Sequence, residues 1–201
     1  MYQTYIKRGF DIVLAVFGIC FFALPMAVIA LVIKLDDPGT VLFRQQRVGK
    51  GKRLFTMYKF RTMKTAAPKD CPTHLLRDPG AYITGVGRFL RRSSLDELPQ
   101  LFNILLGHMS FVGPRPALWN QQDLIAKRDS FGANALRPGL TGWAQINGRD
   151  ELPIEQKAAL DGEYAAKIGF LFDCRCFFGT FLAVVSARGV HEGSDKKDVQ
   201  K

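Results

Sequence analysis

The sequence predicts an α+β chain in three parts: an apolar N-terminal membrane helix over 1–35, a small β-hairpin with a mostly helical body over 36–187, and a charged, disordered tail over 188–201. Three observations carry this. Ile12 to Ile33 is a run of 22 residues without a charge. Two strand-like stretches, Val41 to Val48 and Arg53 to Arg61, flank Gly49-Lys50-Gly51-Lys52. Farther on, apolar residues recur at helical spacing, as in Leu98, Leu101, Phe102 and Leu105.

At a rise of about 1.5 Å per residue, the N-terminal run is just long enough to cross a hydrocarbon core of roughly 30 Å. It exceeds the h-region of a signal peptide, and no small-x-small site closes it. Pro25 lacks an N–H and crowds the carbonyl of Phe21, so the helix is expected to bend or break there. Lys7 and Arg8 precede the run and Lys34 follows it. Positive charge favours the cytoplasmic side. With both flanks basic, a segment that enters and returns on one side stands beside a kinked crossing.

The chain carries 28 Lys and Arg against 18 Asp and Glu, a net charge of +10. That excess predicts anionic partners. From Pro38 to Lys69 there are nine basic residues and no acidic one, which suits a surface of anionic phospholipid as well as a merely solvated face. The four cysteines (Cys20, Cys71, Cys174, Cys176) form neither a disulfide framework nor a zinc spacing, and the histidines His74, His108 and His191 form no metal motif.

Asp36-Asp37-Pro38-Gly39 is a turn into the hairpin, and 65–80 is an irregular polar loop. Ile83 to Leu90 leads into the basic cluster Arg88, Arg91 and Arg92. A helix is expected to start near Ser94-Leu95-Asp96-Glu97. Ser94 with Glu97 matches a capping box, whereas Asp96 as N-cap places Pro99 in the first turn, where proline is tolerated. Gly107 ends that helix. Gly113-Pro114-Arg115-Pro116 is a stiff turn, and helices follow around Trp119 to Asp129 and Ile154 to Lys167. Arg137-Pro138-Gly139, Thr141-Gly142 and Asn147-Gly148-Arg149-Asp150 are turns between them. Ile168 to Val185 is Phe-rich but interrupted by Asp173 and Arg175, so it is a core or interfacial helix.

Adjacent carboxylates at a helix start most often serve the helix dipole. Asp96-Glu97 keeps other company. Arg91 and Arg92 lie just upstream, and Arg115, Arg137 and Arg149 each occupy a Pro- or Gly-rich turn. Arginine forks match phosphate oxygens, and Mg²⁺ takes one or two carboxylates plus substrate phosphates. The set suits phosphoryl chemistry.

Five motifs occur in order: Tyr58-Lys59-Phe60-Arg61-Thr62-Met63, Ser94-Leu95-Asp96-Glu97-Leu98-Pro99-Gln100-Leu101, Met109-Ser110-Phe111-Val112-Gly113-Pro114-Arg115-Pro116, Arg137-Pro138-Gly139-Leu140-Thr141-Gly142 and Asn147-Gly148-Arg149. With them the chain, from Lys7 to about Val185, resembles the bacterial sugar transferase family, the small monotopic phosphoglycosyl transferases. The resemblance implies that Asp96 attacks the β-phosphorus of a UDP-sugar, releasing UMP and leaving a covalent phospho-sugar. Polyprenyl (undecaprenyl) phosphate then takes the phospho-sugar, a first membrane step of glycoconjugate synthesis. It implies Mg²⁺ on Glu97, and phosphate contacts from Arg91, Arg115, Arg137 and Arg149. Lys59 either joins them or pairs with a carboxylate. Asp161 and Asp173 match acidic positions without an implied role. The family's helix enters the cytoplasmic leaflet of the bacterial inner membrane, breaks near a proline, matched here by Pro25, and returns, leaving the catalytic domain on the cytoplasmic face.

Three rivals differ in what they leave unexplained. A non-catalytic module binding anionic lipid accounts for the apolar run and the basic stretch, not for Asp96-Glu97 with its arginine turns. A nucleic-acid binder accounts for the charge but not for the apolar run, so no nucleic acid is expected as a partner. A transferase moving the sugar alone would release UDP.

Overall fold

The computed structural model describes residues 1–67, 79–148 and 152–185. Most of the irregular loop expected over 65–80, the Arg149 turn and the tail therefore lie outside the described residues. Helix α1 (Lys7–Asp36) is followed by the antiparallel hairpin of β1 (Leu42–Val48) and β2 (Leu54–Phe60). Short helices α2 (Pro79–Tyr82), α3 (Gly85–Arg92) and α4 (Gln100–Leu105) come next. Strand β3 (Ser110–Val112), helix α5 (Gln122–Ser130), strand β4 (Gly139–Thr141) and helix α6 (Trp143–Ile146) lead to α7 (Ile154–Lys167) and α8 (Phe170–Val185). The mixed helix-and-strand class and the expected hairpin are observed.

Helix α1 is long and apolar enough to cross a membrane. Its buried and half-buried positions form one stripe, running through Lys7, Asp11, Ala15, Phe22, Met26 and Ile33 at spacings of four or seven residues. The N-terminal half of the stripe packs through Ala15 and Ile19 against Leu101 and Ile104 of α4. The C-terminal half packs through Met26, Ile29 and Ile33 against Phe60 of β2 and Leu90 of α3. The globular part thus lies alongside about 40 Å of helix. The remaining faces are apolar and exposed, with Phe17, Phe21, Leu24 and Leu31 among the most open, and they point to membrane association.

Helical backbone runs through Pro25 without interruption, so the expected break is not a break in the helix. Proline removes one N–H donor, and the turns on either side are held by their own packing against α4 and α3.

Polar contacts fix the start of α1. Asp173 on α8 pairs with Lys7 at 2.6 Å in a buried site and accepts from the hydroxyls of Tyr2 and Tyr164, each also at 2.6 Å. Asp11 accepts from Ser110 Oγ and Phe111 N, both at 3.0 Å. Arg8 donates to the carbonyls of Ile104 and Leu105, satisfying the C-terminal end of α4. These contacts assign Asp173 to anchoring the helix. Asp161 on α7 is fully buried and forms a two-pronged pair with Arg128 of α5, at 2.8 and 2.6 Å.

Strands β3 and β4 form a short parallel pair that periodicity did not disclose. Glycine permits the approach: a Cβ on Gly139 would lie 2.1 Å from Gly113 N, and one on Gly142 would lie 2.1 Å from Gly113 O.

Candidate active site

Asp96 and Glu97 belong to a single 3-10 turn, Leu95–Glu97, and the α-helix proper begins after Pro99. Neither start foreseen from the sequence is formed. Ser94 sits in the left-handed region at φ 57 and its side chain caps nothing. A residue in that conformation cannot present its oxygen to the next turn as an N-cap does. The turn lies between α3, β2 and α4.

Asparagine 103 sets α4 against the hairpin. Its side chain accepts from Tyr58 N at 2.9 Å and donates to Thr56 O at 2.7 Å, covering the outer edge of β2. Its own carbonyl accepts from His108 N and Met109 N beyond the end of α4. The residue is fully buried. An amide inside the apolar run Leu101 to Leu106 was the available sequence signal for it.

With β2 so placed, Lys59 Nζ reaches Glu97 Oε1 at 2.6 Å, and an Arg115 terminal nitrogen lies 3.5 Å from the same oxygen. Arg115 comes from the loop after β3 and is 42 % exposed at its side chain. Arg91, in the last turn of α3, donates through Nε to Thr62 Oγ1 at 2.8 Å. Thr62 in turn holds the start of α3, its carbonyl accepting from Thr84 N.

Asp96 is buried, 9 % exposed. Burial pushes its carboxyl up to about 6, and Lys59 opposes that most strongly, with Arg91 and Arg115 adding to it, while the neighbouring Glu97 raises it further. Among the described residues nothing donates a hydrogen bond to this carboxylate; the cations act on it through space. A buried, weakly solvated carboxylate under the field of three cations has the chemistry to serve as a nucleophile or as a base beside a phosphate.

Arg137 does not join this group. Its Nε donates to Gly107 O at 3.1 Å, and its charge presses on Arg8 at the far end of α4. Arg149 lies outside the described residues. The structure thus gathers Asp96, Glu97, Lys59, Arg91 and Arg115 of the residues singled out from the sequence. No cluster of three or more metal-ligating side chains occurs among the described residues.

The profile of the bacterial sugar transferases matches residues 2–187. The chain belongs to this family. By that membership it is an enzyme of the phosphoglycosyl transferase class. An uncharacterized sugar transferase of Bacillus subtilis is 37% identical to the family member described here, over 93% of this chain and 91% of its own length. The UDP-glucose:undecaprenyl-phosphate glucose-1-phosphate transferase of Escherichia coli is 40% identical over 87% of this chain. A UDP-N-acetylgalactosamine-undecaprenyl-phosphate N-acetylgalactosaminephosphotransferase of Aeromonas hydrophila is 42% identical over 71% of it. The chain spans 39% and 34% of the length of these two larger relatives.

Proposed function

We propose that this sugar transferase moves a sugar 1-phosphate from a UDP-sugar to undecaprenyl phosphate at the membrane surface, through a covalent intermediate on Asp96. The observation that carries the reading is the buried Asp96 carboxylate beside Glu97, faced by Lys59, Arg91 and Arg115 on a chain with an exposed apolar helix. The names of the Escherichia coli and Aeromonas hydrophila relatives supply the donor and acceptor classes.

In the first step an Asp96 oxygen attacks the β-phosphorus. The bond from that phosphorus to the bridging oxygen breaks, and UMP leaves with the oxygen. In the second step a phosphate oxygen of the polyprenyl phosphate attacks the same phosphorus, and the bond to Asp96 breaks, restoring the carboxylate. Arg91 and Arg115 offer planar donor forks to the diphosphate, and Lys59 holds Glu97 in place while keeping Asp96 ionised.

The donor chemistry fits Mg²⁺: Glu97, with Asp96 adjacent, offers the one or two carboxylates such an ion takes, and substrate phosphates complete the shell. When bound, the ion would neutralise diphosphate charge.

Helix α1 lies in one leaflet on this reading, because both its ends pack on the same globular body. That body sits on the cytoplasmic face of the inner membrane, where nucleotide sugars are made. Incubation with a panel of UDP-sugars, without acceptor, should release one equivalent of UMP and add a phospho-sugar to Asp96. Release of UDP, or full turnover by Asp96→Asn, would overturn the reading. An unchanged Mg²⁺ requirement in Glu97→Ala would remove the metal from Glu97.

A further inference from the structure

One face of the hairpin carries Gln45 and Arg47 on β1 opposite Met57 and Phe55 on β2, and Lys59 continues that same face. Lys59 reaches Glu97 directly. Arg47 reaches in the same direction toward another part of the site. Its NH1 donates to Pro116 O at 3.0 Å, one residue past Arg115. Its Nε and NH2 both grip Gln45 Oε1, at 3.1 and 2.6 Å. Next to it, Val48 N donates to Ala117 O at 2.9 Å, and Arg47 bridges Leu118 in antiparallel fashion. On the other side, the loop that carries Arg115 is pinned by Gly113 against β4.

We propose that Arg47, oriented by Gln45, is a positioning residue for Arg115, fixing where that guanidinium meets the diphosphate of the nucleotide sugar. The inference rests on the function proposed above for the Asp96 site. Arg115 is 42 % exposed at its side chain and its pair with Glu97 is 3.5 Å long; an exposed pair of that kind adds little positional restraint, so the backbone that carries the guanidinium matters. A fork with one prong on a backbone carbonyl and two on a side-chain amide is a stiffer tether, since guanidinium donors are planar and fixed relative to one another. The hairpin then sets both cations that meet at Glu97: Lys59 from its own strand and Arg115 through the Pro116 carbonyl.

The test uses the full chain in lipid nanodiscs and three variants: Arg47→Met, which keeps bulk and removes every donor, Arg47→Lys, which keeps a single donor nitrogen and the charge, and Arg115→Ala. With a UDP-sugar that the wild type turns over, Arg47→Met should raise KM for the nucleotide sugar on the order of tenfold and leave kcat near its wild-type value. Arg47→Lys should recover part of the loss. Adding Arg47→Met to Arg115→Ala should cost little more than Arg115→Ala alone, because both remove one interaction. Amide exchange over 114–118 should quicken in Arg47→Met, while exchange over α4 stays as in the wild type. Additive effects of the two substitutions, unchanged exchange over 114–118, or activity lost in step with folded protein at constant KM would each overturn the proposal. Should the wild type release no UMP from any UDP-sugar, the function reading falls, and the exchange measurement alone decides whether Arg47 holds the Arg115 loop.

Discussion

The Lys59 ammonium lies 2.6 Å from Glu97 Oε1, whereas the Asp96 carboxylate one residue earlier accepts no hydrogen bond among the described residues. The two neighbours are thus electrostatically unequal. Glu97 meets a cation in direct contact. Asp96 is buried and kept ionisable by charges acting at a distance.

A pH profile reads this inequality. With its carboxyl at about 6, Asp96 must lose a proton to attack phosphorus, so kcat/KM for UMP release should fall as pH drops through 6. Lys59 is the largest influence holding that value down. Lys59→Met should therefore move the acid limb to higher pH as well as reduce the plateau. A limb unmoved in Lys59→Met would show that another group titrates.

The same burial affects folding. The carboxyl sits above the unfolded value of 3.8, so the folded protein holds this proton more tightly than the unfolded chain. Its contribution to stability is complete below about 3.8 and is lost as pH rises through about 6. Asp96→Asn removes the buried charge. It should abolish adduct formation yet unfold less readily at neutral pH, by on the order of 2–3 kcal/mol, as read by chemical denaturation in detergent.

Lys7 and Asp173 lie far from that chemistry but hold the helix to the body. Lys7→Met leaves the buried Asp173 with hydroxyl partners alone, so it should cost about 3 kcal/mol or more. Replacing both, Lys7→Met with Asp173→Asn, should cost less than the sum of the two changes. Thermal unfolding of the four proteins in one detergent measures this.

Asn103→Leu should strip Thr56 O and Tyr58 N of their partners. Each orphaned group costs about 1–3 kcal/mol. Because β2 carries Lys59, activity should fall further than folded protein does, with the acid limb again shifted upward. An unshifted limb would mean that Asn103 braces the fold without setting the site.

Much of the molecule was legible from its residues. Uncharged length disclosed α1, and alternation with Gly-Lys-Gly-Lys disclosed the hairpin, because both signals are local. Of the charged residues singled out from the sequence, the fold brings Asp96, Glu97, Lys59, Arg91 and Arg115 together. The start of the Asp96 turn was misjudged because Ser94 takes a left-handed backbone, and no composition announces that. Arg137 shares the Pro-Gly setting of Arg115, but its side chain turns to Gly107 O, a choice made by tertiary packing. Strands β3 and β4 are three residues each and depend on glycine contacts between distant segments. Asn103 and Arg47 act on backbone groups, and Gln45 acts through Arg47, so motif chemistry passes over them.

The stripe along α1 has a practical consequence for anyone wishing to work without membrane. Residues 1–36 supply one wall of two apolar clusters, and Leu101, Ile104, Phe60 and Leu90 form the other. Cutting the chain after Asp36 would not free a water-soluble catalytic fragment. It would open a seam about 40 Å long in the interior, strip Asp173 of its lysine, and leave the carbonyls that end α4 without Arg8. The membrane helix is a structural member of the catalytic body, and solubilisation has to keep it.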